Sequence, residues 1–392
     1  MHDTSQNAYV RLLFLFAFFA LSIGDTFNVL FIRELVLGFA SPDRYELLIS
    51  IPVTVMNAMM IAGVVAANLM IRRNGNIVLF LRISTIVSAA GLLIRGMSFH
   101  YYMLLLGFAV TGFGYGCFYI GIRYYAYLFD DEKERMETLA FISGGAFAGQ
   151  CMGTVLGGIM AGQMPYRMVY LLAVIILVFP VCILGRVRID SRLKVGSIRH
   201  SFRVFGNPGA VVYLLFMVLP LFACTIFTSY TVPLAINGFG YSATVISALL
   251  LGAYLITAYA GPFMTRLISS HMTPIRATLV YCAGVAILIT VYTFWSSFAF
   301  LVVVVLALGL MDSFGLSVMT EAYTDSKRDS SYSDADALMV YILITRLGMT
   351  IAPGLILVFG TTLALSGSLI IGMALFLLSG TVFVAASGKR GK

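Results

Sequence analysis

Apolar runs, each about as long as a bilayer is thick, leave this chain few ways to fold. Twelve of them fall at roughly 10–32, 47–71, 77–97, 101–127, 139–162, 166–186, 210–235, 243–267, 275–294, 297–320, 338–359 and 363–386. A helix of about 20 residues crosses the hydrocarbon core. Inside lipid every backbone N–H and C=O must be satisfied within the segment, so runs of this length fold as helices. Only 11% of the residues are charged, against about 25% in soluble domains. The expected fold class is therefore an all-α integral membrane protein, with twelve transmembrane helices in two six-helix bundles. The first run, from Val10, is longer than the h-region of a cleavable signal, and no such signal is expected.

Orientation follows from the basic residues. With the N-terminus in the cytoplasm, 20 of the 25 Lys and Arg lie at cytoplasmic ends and loops. Four (Arg33, Arg44, Arg95 and Arg167) lie on the outer side, and Arg346 lies inside a span. The net charge of +8 is thus a topology signal, and no nucleic-acid partner is implied. A cell-membrane protein with both termini cytoplasmic is expected. The longest internal loop carries Arg188, Arg192, Lys194, Arg199 and Arg203. It divides the chain into an N-terminal bundle (1–186), a basic cytoplasmic linker (187–208) and a C-terminal bundle (209–392).

The halves echo each other. The sequence after span 2 (Asn68 to Gly75) has a counterpart after span 8 (Gly261 to Arg266), and the end of span 4 (Gly121-Ile122-Arg123) has one at the end of span 10 (Met319-Thr320-Glu321). Spans 5 and 11 share Gly145-x-x-x-Gly149 and Gly348-x-x-x-Ala352-Pro353. Three such matches at nearly one offset predict a parallel repeat. In span 5 the glycines at 145, 149, 153 and 157 form a stripe along one helix face. In lipid such a stripe lets two backbones approach closely.

The twelve spans, the basic central loop and these positions resemble the major facilitator superfamily over essentially the whole chain. The span 5 stripe is similar to the family's motif C (GxxxGPxxGG), with Gly145, Gly149 and Gly153 in place, Gln150 for the proline and Thr154 for the last glycine. The loop 2–3 motif (GxLaDRxGRR) keeps Arg73 and Gly75, with Asn68, Arg72 and Asn76 at other motif positions. Met103 stands where many family exporters carry an arginine in span 4. The resemblance implies a secondary transporter working by alternating access. Its substrate would be a small organic molecule bound between the halves, and the protein would be a monomer in the bilayer. Motif C adds proton-coupled export as the favoured mode. Facilitated uniport or import of a metabolite stays open, as does a non-transporting sensor or scaffold that keeps the fold. In the family span 5 packs against the opposite half, so the stripe is expected to be a sliding face between bundles.

Ionisable residues within the hydrocarbon are costly and mark function by default. Asp25, Asp312 and Arg346 are the deep ones. Equal depth on consecutive antiparallel helices predicts a buried Asp312–Arg346 pair. Asn28 is three residues after Asp25 and shares its face, and Arg33 is the basic residue within reach. Gln150, Tyr119 and Tyr230 are further candidates for contact with substrate or proton, with helix packing as the alternative role. Candidates for gating are Arg73, Gly75, Arg123, Arg266, Glu321, Pro353 and the stripe glycines Gly145, Gly149 and Gly153. Pro220 and Pro233 are expected to kink span 7. No phosphate-binding loop or other enzymatic signature appears. The four histidines (His2, His100, His200, His271) are scattered, and the five cysteines lie singly in apolar runs, so neither metal nor cofactor is expected.

Overall fold

The computed structural model describes residues 4–38, 45–74, 76–126, 132–184, 202–225, 227–325, 334–359, 374 and 377–382. Every regular element among them is helical. Eight helices are long and apolar enough to cross a membrane: Leu47–Ile71, Ile77–Gly96, Tyr101–Gly121, Tyr166–Leu184, Pro208–Gly238, Ala243–Gly261, Pro274–Phe294 and Phe298–Tyr323. They coincide with expected spans 2, 3, 4, 6, 7, 8, 9 and 10. Shorter apolar helices, Ala8–Ser22 and Met339–Ile351, fall in spans 1 and 11, and the helix Glu132–Ala161 covers span 5. Most of expected span 12 lies outside the described residues. By packing, the chain divides into two compact units, Met1–Ile198 and Arg199–Lys392.

Within the first unit, glycine sets which helices meet and in which direction. Where a Cβ would stand at Gly149, Gly153 and Gly157, the structure places the backbone carbonyls of Leu15, Phe19 and Ile23; at Gly145 it places Arg11. Both helices advance four residues per contact, so spans 1 and 5 run parallel and mesh turn by turn. This corrects the expected sliding face. The stripe is filled by span 1 of its own unit, because successive carbonyls on one face of span 1 recur at the glycine interval. Gly112 and Gly116 likewise bring span 4 onto the carbonyls of Met56 and Met60 in span 2. Gly91 meets Thr111, and Gly107 meets Arg95, in the opposite sense, so spans 3 and 4 are antiparallel.

The second unit repeats this scheme. Gly309 of span 10 lies against the carbonyl of Ala253 in span 8, as Gly112 does against Met56. Both members of the pair are displaced by 197 residues, which sharpens the offset of the repeat. Gly284 against Met311 and Gly315 against Tyr281 set spans 9 and 10 antiparallel.

Polar side chains start two of the helices. Asn76 accepts from the Leu79 N–H at 3.0 Å and caps span 3. Asn207 accepts from the N–H groups of Gly209 and Ala210, with Pro208 at the first helical position, where its missing N–H costs nothing. Span 7 then contains two wide π-helical turns, Leu214–Val218 and Phe227–Thr231. Each immediately precedes a turn whose second residue is proline, Pro220 or Pro233. A proline ring collides with the carbonyl four residues back and cannot bond it, and a widened turn relieves that crowding. For Pro220 that carbonyl is Phe216, and the backbone of Gly380 packs directly against it.

Candidate functional site

Span 1 is broken where its carboxylate stands. The helix Thr4–Ser22 ends, a turn runs through Ile23–Phe27, and a second helix covers Asn28–Leu37. Glycine and aspartate, both poor helix formers, occupy the turn as Gly24-Asp25. The chain recloses through Asp25 N–H to Ser22 O at 3.0 Å and Asn28 N–H to Gly24 O at 2.7 Å. The Thr26 hydroxyl reaches the Thr154 carbonyl of span 5 at 3.4 Å.

The cation facing this break is Arg95, near the C-terminal end of span 3. It is only 1% exposed. Four other spans close around it. Its guanidinium lies 3.8 Å from the ring centroid of Phe108 in span 4 and 5.6 Å from that of Tyr170 in span 6. Its Nη2 is 3.2 Å from Met56 Sδ in span 2. Tyr170 and Asp25 act on it electrostatically, so Arg95 is a buried cation near the span 1 break that residue counting did not bring to Asp25. The Tyr170 hydroxyl donates to Asn28 Oδ1. A Cβ at Gly24 would lie 2.5 Å from that oxygen and 2.9 Å from the Tyr170 ring, so glycine is what lets the turn seat both. Phe27 stacks on Tyr166 with centroids 5.2 Å apart, which lids the cluster with apolar rings. Asp25 itself is half-buried.

The second unit has its own buried carboxylate. Asp312 of span 10 accepts a hydrogen bond from the Tyr281 hydroxyl of span 9 at 2.6 Å. The expected Asp312–Arg346 pair is therefore corrected: Asp312 turns toward span 9, and Arg346 extends along its own helix, Nη1 3.3 Å from Met349 Sδ. Depth in the sequence does not decide partners: Asp312 bonds across to span 9 and Arg346 bonds within its own helix. Further along span 10 from Asp312, Tyr213 donates to the Met319 carbonyl at 2.9 Å, stacks near Tyr323, and Tyr323 in turn meets Tyr341 at 5.5 Å.

The remaining candidates are dispersed. Tyr119 lies 6.4 Å from the Phe18 ring. Tyr230 is buried in the second π turn of span 7. Gln150 is half-buried, one residue round the helix from the meshed face. Arg73, Arg266 and Glu321 are exposed. Gly75 and the side chains of Arg123 and Pro353 lie outside the described residues. Asn68, at the first glycine position of the loop 2–3 motif, is 2% exposed and donates to the Tyr124 hydroxyl at 2.6 Å. A neutral bond thus ties span 2 to the C-terminal end of span 4. Sequence reasoning missed Arg95, Tyr170, Tyr281 and Tyr124; the signal present for Arg95 was its setting among Gly91, Gly96 and Gly107, small residues that make room for a large one.

The sequence matches the family described as Major Facilitator Superfamily over residues 12–353. The chain belongs to this superfamily. It is accordingly a multi-pass membrane protein of a transporter family. Among solved structures, it is similar to a D-xylose–proton symporter (TM-score 0.78, 13% identity, 98% of this chain and 97% of that one). It is also similar to a bacterial homolog of the human lysosomal transporter Spinster, inward-facing and unoccupied (TM-score 0.70, 16% identity, 97% and 96%). A third is an aspartate-to-alanine mutant of a nucleoside transporter (TM-score 0.72, 10% identity, 97% and 99%). None of the curated proteins compared matches this chain. At such identities the structures establish the shared facilitator fold.

Proposed function

We propose that this facilitator-family chain is a secondary active transporter, moving a small organic solute by alternating access and coupling it to protons in the export direction. The observation that carries the reading is charge kept inside apolar bundles: Asp25 and Arg95 in the first unit and Asp312 in the second. Burying such groups costs several kcal/mol each, a cost hard to understand if packing were their whole purpose. A carboxylate that gains and loses a proton as its surroundings open changes charge inside the membrane, which is how a gradient can drive a cycle. The symporter among the similar structures supports proton coupling. The full architecture in this reading has twelve spans, as bundles 1–186 and 209–392 joined by the basic segment 187–208. The protein acts as a monomer in the cell membrane, with both termini cytoplasmic.

The experiment is reconstitution into liposomes with an imposed pH gradient and a panel of small organic solutes. Solute-dependent proton flux is expected, lost in Asp25→Asn and in Asp312→Asn. Solute movement that persists unchanged in both variants would point to facilitated uniport. The loop 2–3 segment, with Arg72 at the motif's acidic position and a neutral Asn68–Tyr124 tie beside it, favours a second reading as a non-transporting sensor; solute binding without any flux is its signature.

A further inference from the structure

The carboxylate of Asp312 is set by a device that spans two helices. Gly315 follows Asp312 by three residues, so the two share a face of span 10. At Gly315 an added Cβ would lie 2.3 Å from Cγ and Cδ2 of the Tyr281 ring and 2.5 Å from its Cδ1, a severe overlap. The Tyr281 ring therefore lies flat against the bare backbone of span 10, one turn along from Asp312. Only from there does its hydroxyl reach Asp312 Oδ1, at 2.6 Å. Phe314 closes the edge of the ring, with centroids 6.1 Å apart. Tyr281 is 2% exposed, so water does not compete for the bond.

We infer that Gly315 and Tyr281 are positioning residues for Asp312, a glycine seat and a phenol donor that together fix how readily this carboxylate takes a proton. The inference deepens the transport reading and rests on it for its purpose, though not for its test. The surroundings are otherwise neutral. Span 8 presents Thr257, which donates to the Gly309 carbonyl at 2.9 Å. Behind Tyr281 stand Cys282 and Tyr341. Among the described residues, Tyr281 is the one ionisable group acting on Asp312. A carboxylate with a single donor responds strongly to that donor, since a hydrogen bond to the charged form favours it.

The test is pH-difference infrared spectroscopy of the purified protein in lipid, following the carboxylic-acid band that disappears in Asp312→Asn. In Tyr281→Phe the carboxylate loses its donor. The protonated fraction at a given pH rises, by roughly ten-fold in proton affinity. Gly315→Ala drives the ring off its seat and gives a change in the same direction. The double variant Tyr281→Phe/Gly315→Ala changes no more than Tyr281→Phe alone, because both act through one bond. A band that Tyr281→Phe leaves in place, or additive effects in the double variant, overturns the inference, as does the absence of any band that depends on Asp312. Should Gly315→Ala not fold, Tyr281→Ala/Gly315→Ala restores the yield if the ring is what it strikes, and unrestored yield also counts against the seat. None of these readings needs a substrate. A wild-type protein without solute-driven flux refutes the transport reading and leaves the spectroscopic answer intact.

Discussion

Arg95→Leu removes a cation buried within the first unit's cluster and keeps roughly the volume of its aliphatic stem. Asp25 loses its electrostatic interaction with that cation. The Phe108 face, 3.8 Å from the guanidinium, loses a desolvated cation–π contact of about 2 kcal/mol. The loss of the Asp25 interaction adds at most what breaking a buried ion pair costs, about 3–5 kcal/mol. Asp25 is half-buried and can hydrate in part, which puts the expected loss near the low end, about 3 kcal/mol. For a unit of this size, 1 kcal/mol corresponds to about 2–4 °C in Tm by the scaling of soluble domains, so a fall on the order of 10 °C is expected. The assay is fluorescence-detected size exclusion after a heat step, on wild type, Arg95→Leu, Asp25→Asn and the double variant. The double variant should recover much of the loss, since neither charge is then stranded. If Arg95→Leu melts with wild type, or if the double variant is as unstable as the sum of the singles, the pairing across the span 1 break is wrong.

Two further outcomes follow from packing. Gly149→Leu places a side chain on the Leu15 carbonyl; overpacking typically costs about 1–3 kcal/mol, so reduced thermal stability and yield are expected, and a fully stable variant with altered transport would restore the sliding-face idea. Asn68→Leu removes the bond to Tyr124 and leaves a buried hydroxyl to find another partner, at about 1–3 kcal/mol; proteolysis at the C-terminal end of span 4 should accelerate, and an unchanged cleavage rate would show that the tie is dispensable.

Much of the architecture could be read from the chain because lipid imposes it. Apolar length marked the spans, and glycines repeated at a four-residue interval marked a packing face on span 5. What the sequence left open was azimuth. Residue counting puts Asp312 and Arg346 at one depth, and depth is all that it supplies. Which way a side chain points depends on how the helices are rotated against their neighbours, and at Asp312 Gly315 sets that by admitting Tyr281. The burial of Arg95 was hidden for a related reason. A residue two positions from the end of an apolar run reads as a membrane-surface flank, but the ring of Tyr170, 75 residues later in the chain, covers it. The stripe on span 5 was recognised as a packing face, and its partner was taken from resemblance instead of from the matching four-residue interval on span 1.

That interval has a mechanical consequence. Carbonyls of span 1 sit in successive glycine notches of span 5, like a rack engaged along its length. The next arrangement that offers every carbonyl a notch is four residues away, about 6 Å along the axis. Intermediate positions force carbonyl oxygens onto side-chain-bearing backbone. Spans 1 and 5 are thus geared to each other, and any stroke the first unit makes must carry both as one strut, with the give supplied by the broken turn at Gly24-Asp25 or by helices outside the pair.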